Sequence, residues 1–207
     1  KRYNQHLRIS YSQTENINNI KSIKHQIIRE SLRYYKITNG VEVVTVADIP
    51  SSGSGLASSS ALTVGLSNAF RKFKNLNISK KILSEDACDI EINKCKKPIG
   101  MQDQYSTAYG GLNKIEFFKN KVNVKKIDLS NQKLENFNEN LLLFYTGINR
   151  KAGDILIKIK KSGNQFIHYD KLSTLASNFE KELILSNFDN CGSILHENWL
   201  IKKKLNQ

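Results

Sequence analysis

The hydrophobic positions of this chain change period several times, and each change marks an element. Leu7, Ile9 and Tyr11 alternate with polar residues, the two-residue repeat of a short strand. From Ile17 to Tyr35 the period lengthens. Ile20, Ile23, Ile27, Ile28 and Leu32 follow helical spacing, with His25 inside the helix as a structural or surface residue and Asn39-Gly40 as the stop signal. Val41 to Val46 is rich in β-branched residues and reads as a strand. After a Gly/Ser-rich break, Leu62, Leu66, Ala69, Phe70 and Phe73 line one face of another helix. Ser79 is placed to cap the next, Lys80 to Cys95, whose apolar side is Ile82, Leu83, Ala87 and Ile90 and whose end is marked by Pro98. Gly110-Gly111 interrupts the chain, and Asn113 to Phe118 and Lys121 to Ile127 then alternate about Lys119-Asn120 as a hairpin. Asp128 to Asn140 is polar enough for a linker or domain boundary. Leu141 to Tyr145 reads as a buried strand ended by Thr146-Gly147. Three helical stripes follow: Ala152, Ile155, Leu156 and Ile159; Leu172, Leu175, Ala176, Phe179 and Leu183; Ile194, Leu195 and Trp199.

The break between strand and helix carries the most chemistry. Ile49-Pro50-Ser51-Ser52-Gly53-Ser54-Gly55-Leu56-Ala57-Ser58-Ser59-Ser60-Ala61 places flexible glycines and hydroxyls where unpaired N–H groups and the positive end of a helix dipole meet. It reads as a phosphate cradle, although a plain Ser/Gly turn capping a helix is the alternative. No Gly-Lys-Ser/Thr closes the loop, so it is not a Walker A motif. Glu91, alone on a helix, reads as a solvated charge. Asp103, in Pro98-Ile99-Gly100-Met101-Gln102-Asp103-Gln104-Tyr105, serves equally as a helix N-cap or as part of a polar binding loop.

Composition narrows the classes. The 207 residues allow one large domain or one and a half, and 39% hydrophobic with 25% charged residues fits a globular protein. No apolar run of about 18 residues suggests a membrane span, and no apolar core follows Lys1-Arg2-Tyr3-Asn4-Gln5 as in a signal peptide. Cys88, Cys95 and Cys191 form no Cys-x-x-Cys pair, which argues against a disulfide framework or a zinc site and for a reducing cytoplasm. The net charge of +13 favours anionic partners, whether nucleic acid, an acidic membrane face or phosphorylated small molecules, unless it is only a lysine-rich bias.

The loop from Pro50 to Ala61 resembles the second motif of the GHMP superfamily of small-molecule kinases, Pro-x-x-x-Gly-Leu-Gly-Ser-Ser-Ala/Ser, with Ala57 where the third glycine usually stands. Glu91 and Asp103, twelve residues apart, are spaced like the glutamate and catalytic aspartate of the galactokinase branch. Lys97 to Tyr105, Ala108 to Phe117, Phe144 to Arg150 and Leu195 to Trp199 look like the bacterial kinases of D-glycero-D-manno-heptose 7-phosphate.

The resemblance implies an α+β fold: an N-terminal ATP-binding domain over residues 1–140, like the second domain of ribosomal protein S5, then part of a ferredoxin-like C-terminal domain over 141–207. It implies ATP and Mg²⁺ as cofactors, bound by Pro50, Ser52, Gly53, Ser54, Gly55, Leu56, Ala57, Ser58 and Ser59, with Ser58 and Glu91 as metal ligands. Asp103 would be the catalytic residue that receives or orients the sugar hydroxyl proton, and Arg150 would touch the sugar phosphate. The expected partners are ATP and a phosphorylated sugar, with no membrane, nucleic acid disfavoured, and the oligomeric state open, a homodimer included. The family's first and third motifs have no counterpart here, so the expectation is an internal fragment or a truncated homologue. A catalytically silent piece and a basic nucleic-acid-binding module of S5-like fold are the alternatives. The latter would interleave aromatic and basic residues on one face, and no such cluster is visible.

Overall fold

A computed structural model of the chain describes residues 6–48, 55–147 and 165–205. Its secondary structure is α+β. The described residues form two compact units, one of residues 6–48 and 55–110 and one of residues 111–147 and 165–205.

In the first unit, β1 (Leu7–Ser10) is the central strand of a three-stranded sheet. It runs antiparallel to β2 (Thr14–Ile17), with Leu7 opposite Ile17, and parallel to β3 (Val41–Val44), with Leu7 opposite Val41. A parallel pair needs a crossover, and α1 (Gln26–Tyr34) supplies it. Leu7 and Ile9 of β1 and Val41 and Val43 of β3 alternate inward, onto Ile23, Ile27, Ile28 and Leu32.

The expected helix from Ile17 is shorter than its periodicity. Ile20–Ser22 form one 3₁₀ turn, and His25 is the N-cap of α1, its ring accepting from the Ile28 N–H at 3.4 Å, rather than an interior residue. The stop is not Asn39-Gly40. Lys36 takes φ of 53°, so the Lys36 N–H reaches the Arg33 carbonyl and the Ile37 N–H the Leu32 carbonyl, a Schellman closure built on a lysine.

Beyond β3, which ends at Val44 instead of Val46, α2 (Ser58–Phe73) buries Leu66 and Phe70 in the main core and Val64 in a second cluster with Leu83 and Ala87. Packing on two sides explains why its buried set includes Thr63, Val64 and Ser67, whereas Ala69 and Phe73 of the expected stripe are exposed. Ser79 caps α3 (Lys80–Cys88) as expected, accepting from the Ile82 N–H. The expected single helix to Cys95 changes pitch at Asp89, where a π-helix covers Asp89–Lys94. The Cys95 N–H bonds the Ile90 carbonyl, five residues back, at 2.8 Å. A short loop leads to α4 (Gln102–Tyr109), whose N-cap is Met101 and not Asp103.

In the second unit the expected hairpin forms, β4 (Asn113–Phe117) pairing with β5 (Val122–Lys126). The polar stretch expected as a linker contains α5 (Asn131–Glu139), capped by Ser130. Leu141 to Tyr145 forms no strand among the described residues, and Leu142, Leu143, Phe144 and Tyr145 are 71–85% exposed. A strand needs a neighbour for its N–H and C=O groups, and none of the described strands pairs with this segment. Two helices follow, α6 (Gln165–Leu185) and α7 (Phe188–Leu205). α6 buries Leu175 and Leu183 of its expected stripe. On α7 the buried residues are Cys191 and Ile201, while Leu195 and Trp199 face solvent. The stripe from Ala152 to Ile159 lies outside the described residues. Cys88, Cys95 and Cys191 are buried free thiols. Among the described residues no helix is long and apolar enough to cross a membrane.

Candidate functional site

The helices enter in two ways. α1, α3 and α5 each spend a side chain, His25, Ser79 and Ser130, on a first-turn N–H, whereas α2 and α4 do not. At α2 the N-cap is Ala57, which makes no such bond and sits in the left-handed region at φ 54°, ψ 24°, just after Gly55 at φ 72°. Among the described residues no side chain caps the first-turn N–H groups of α2, which carry the helix dipole's positive end and suit an oxyanion. An alanine in this conformation costs about 1–2 kcal/mol, so the backbone shape is imposed by the surrounding loop and helix. It also explains the glycine of the motif that the loop resembles.

Behind this turn lies Glu91, completely buried in the π-helix. A buried carboxylate is costly unless its oxygens are supplied with donors, and Glu91 has four. Oε1 accepts from Ser59 Oγ and from Lys97 Nζ, the latter at 2.8 Å. Oε2 accepts from Ser60 Oγ and from Gln104 Nε2, each at 2.7 Å. Lys97 Nζ also donates to Ser59 Oγ. Burial by itself would raise the carboxyl's pKa, but Lys97, Ser59 and Ser60 outweigh it and hold the group below the ordinary glutamate range. One carboxylate therefore ties the first turn of α2 to α4 and to the Lys97 loop.

Asp103 lies on the first turn of α4, next to Gln104. It is exposed, and its carboxyl is pushed up from the ordinary range by partial desolvation and then by the charge of Glu91. Such a group is better suited to take a proton than a freely solvated aspartate.

Of the residues expected at the site, Gly55, Leu56, Ala57, Ser58 and Ser59 form the entry to α2, and Glu91 and Asp103 lie on the two elements joined to it. Pro50, Ser52, Gly53, Ser54 and Arg150 fall outside the described residues. Ser58 opens α2, but the hydroxyls that reach Glu91 are those of Ser59 and Ser60. Three participants lay in stretches singled out in the sequence but had no role of their own assigned: Ser60, Lys97 and Gln104. Ser60 had a signal, since Ser60, Thr63 and Ser67 form a polar stripe at helical spacing, and all three are buried.

The donor set also tests the expected magnesium. A carboxylate offers about four acceptor directions, and those of Glu91 are taken by two hydroxyls, an amide and an ammonium. A cation on Glu91 would have to displace one of them. As folded, the residues do not fit Mg²⁺ at Glu91.

Residues 18–111 match the family model described as the GHMP kinases N terminal domain. Over 193 residues the chain is 31% identical to the D-glycero-alpha-D-manno-heptose 7-phosphate kinase of Campylobacter jejuni, covering 90% of this chain and 55% of that protein. The chain thus spans about half the length of that curated relative. Its fold matches the crystal structure of a D-glycero-D-manno-heptose 1-phosphate kinase from Bacteriodes thetaiotaomicron, with a TM-score of 0.78 and 23% identity over 99% of this chain and 66% of that one. It also matches the mevalonate kinase of Methanococcus jannaschii, with a TM-score of 0.65 and 19% identity over 100% of this chain and 68% of that one. The matched segment contains the α2 entry, Glu91, Lys97, Asp103 and Gln104 together, so residues 18–111 carry a GHMP kinases N-terminal domain that holds the whole of this network.

Proposed function

We propose that this chain is the nucleotide-binding part of an ATP-dependent sugar kinase, which transfers the γ-phosphate of ATP to the anomeric hydroxyl of D-glycero-D-manno-heptose 7-phosphate. One observation carries the reading: the entry to α2 and the helix bearing Asp103 meet on Glu91, through Ser59 and Ser60 on one side and Gln104 on the other. Phosphoryl transfer depends mostly on positioning and on neutralising charge, and this network fixes a phosphate cradle and a proton acceptor relative to each other. The N–H groups of the α2 first turn bind the phosphates. Asp103 accepts or orients the proton of the attacking hydroxyl. Mg²⁺ brought in with the nucleotide would offset phosphate charge. Arg150 is assigned the sugar phosphate, and the first unit an S5-like topology. The likeness to a heptose 7-phosphate kinase supports the choice of sugar.

The test is ADP release with the heptose phosphate and with mevalonate, alongside calorimetric titration with a non-hydrolysable ATP analogue. Asp103→Asn should lower kcat by about 10²–10⁴-fold with analogue affinity unchanged. Equal turnover of wild type and Asp103→Asn would refute the role of Asp103. Turnover of mevalonate alone would refute the sugar assignment.

A further inference from the structure

We propose that Lys97 is the resident cation of the Glu91 site, its ammonium on the Glu91 carboxylate taking the place that a divalent cation bound to Glu91 would need. The inference deepens the phosphate-cradle reading, since it says what positive charge serves that cradle.

Lys97 is held to Glu91 twice. Its ammonium is 2.8 Å from Glu91 Oε1, and its backbone N–H donates to the Glu91 carbonyl at 3.1 Å. The backbone leading into it is set by Lys96 in the left-handed region at φ 56°, and Pro98 disfavours helical geometry at Lys97 itself. Among the described residues Lys97 is the ion-pair partner of Glu91, and a buried carboxylate deprived of its cation is strongly destabilising. The lysine side chain is 26% exposed while Glu91 is not exposed at all, so the charge sits at the rim of the network and the carboxylate at its base. An ammonium has three donors. Among the described residues Glu91 and Ser59 take two, and the third is assigned to a phosphate oxygen. A divalent ion on Glu91 needs the Oε1 that Lys97 occupies, so lysine and metal compete for that oxygen.

The deciding measurement is Mn²⁺ binding to the full chain without nucleotide, followed by electron paramagnetic resonance at about pH 8, well above the ordinary carboxylate range. Wild type should bind no stoichiometric Mn²⁺. Lys97→Met keeps the stem and removes the charge; it should gain one site at least about tenfold tighter than any binding to wild type, and Lys97→Met/Glu91→Gln should lose it again. Stoichiometric Mn²⁺ on wild type that Glu91→Gln abolishes would overturn the proposal, as would a folded Lys97→Met that gains no site. If Lys97→Met does not fold, by far-UV circular dichroism, the comparison of wild type with Glu91→Gln decides alone. A second titration, inorganic tripolyphosphate in EDTA, separates this proposal from the cradle. Wild type and Lys97→Arg should bind, and Lys97→Met about tenfold more weakly. Tripolyphosphate binding to none of them would refute the cradle and leave the Mn²⁺ result to judge Lys97.

Discussion

Loss of Asp86 should weaken the first unit strongly. This residue is almost fully buried on α3, and both of its oxygens are shared by donors from two other helices. Oδ1 accepts from Tyr34 Oη of α1 and from Arg71 Nη2 of α2, each at 2.9 Å; Oδ2 accepts from Tyr35 Oη, beside the α1 C-terminus, and from Arg71 Nε. Removing one partner of a buried ion pair costs about 3–5 kcal/mol. Arg71 keeps 17% of its side chain in solvent, so water can recover part of its solvation. Asp86→Ala should therefore fall at the lower end, about 3 kcal/mol, which for a chain of this size lowers Tm by about 6–12 °C. Acidity gives an independent signature. Burial would raise the Asp86 pKa, but Arg71, Tyr35 and Tyr34 together bring it below the usual carboxylate value. A depressed folded pKa means that this stabilisation is complete above the unfolded value of about 3.9 and is lost as pH falls through the folded one. The same carboxylate, after burial, pushes Tyr34 up to about 12. Urea unfolding of wild type and Asp86→Asn across the acid range is the assay: their gap should be constant near neutrality and narrow in acid. A cost below about 1 kcal/mol, or a gap unchanged in acid, would refute the view that a charged Asp86 joins the three helices.

The remaining predictions concern the site and one cap. Ala57→Gly relieves the left-handed alanine at the α2 entry but loosens the unfolded chain, so the net gain should be about 0.5–1 kcal/mol by urea unfolding; a loss of stability would mean that the loop does not impose this conformation. Glu91→Gln leaves Lys97 without its counter-charge and should cost about 3 kcal/mol near neutral pH. Because the folded pKa of Glu91 is depressed, that difference should shrink as pH falls through the folded value, and equal stability at neutral pH would contradict it. Ser79→Ala removes the hydroxyl that accepts from Ile82 N–H at 3.2 Å; it should cost about 1 kcal/mol, read by thermal unfolding, with no effect on nucleotide affinity.

The parts of the fold legible in the sequence are those decided by local chemistry. Alternation in Leu7 to Tyr11 and in the hairpin, the β-branched Val41 run, and a serine at residue 79 each have a short-range cause, and each produces the expected element. Illegible features arise where tertiary contacts override spacing. Lys36 ends α1 because the Schellman bonds repay a left-handed lysine, whereas sequence rules point to the glycine at 40. The run Leu141 to Tyr145 has the composition of a buried strand, but composition cannot supply the neighbouring strand on which burial depends.

At the site, the motif made the α2 entry, Glu91 and Asp103 visible because their residue types recur at fixed separations. What it hid was the form of Glu91's stabilisation. A lysine six residues later reads as one more surface charge in a chain of +13, and a straight α-helix to Cys95 gives no reason to bring it back onto Glu91. The π-helix does: its widened turn and the left-handed Lys96 reverse the chain so that Lys97 meets Glu91 by both backbone and side chain. Pitch changes of this kind depend on packing rather than on local propensity. The electrostatics of the site therefore rest on a backbone irregularity that residue types and their spacing do not encode.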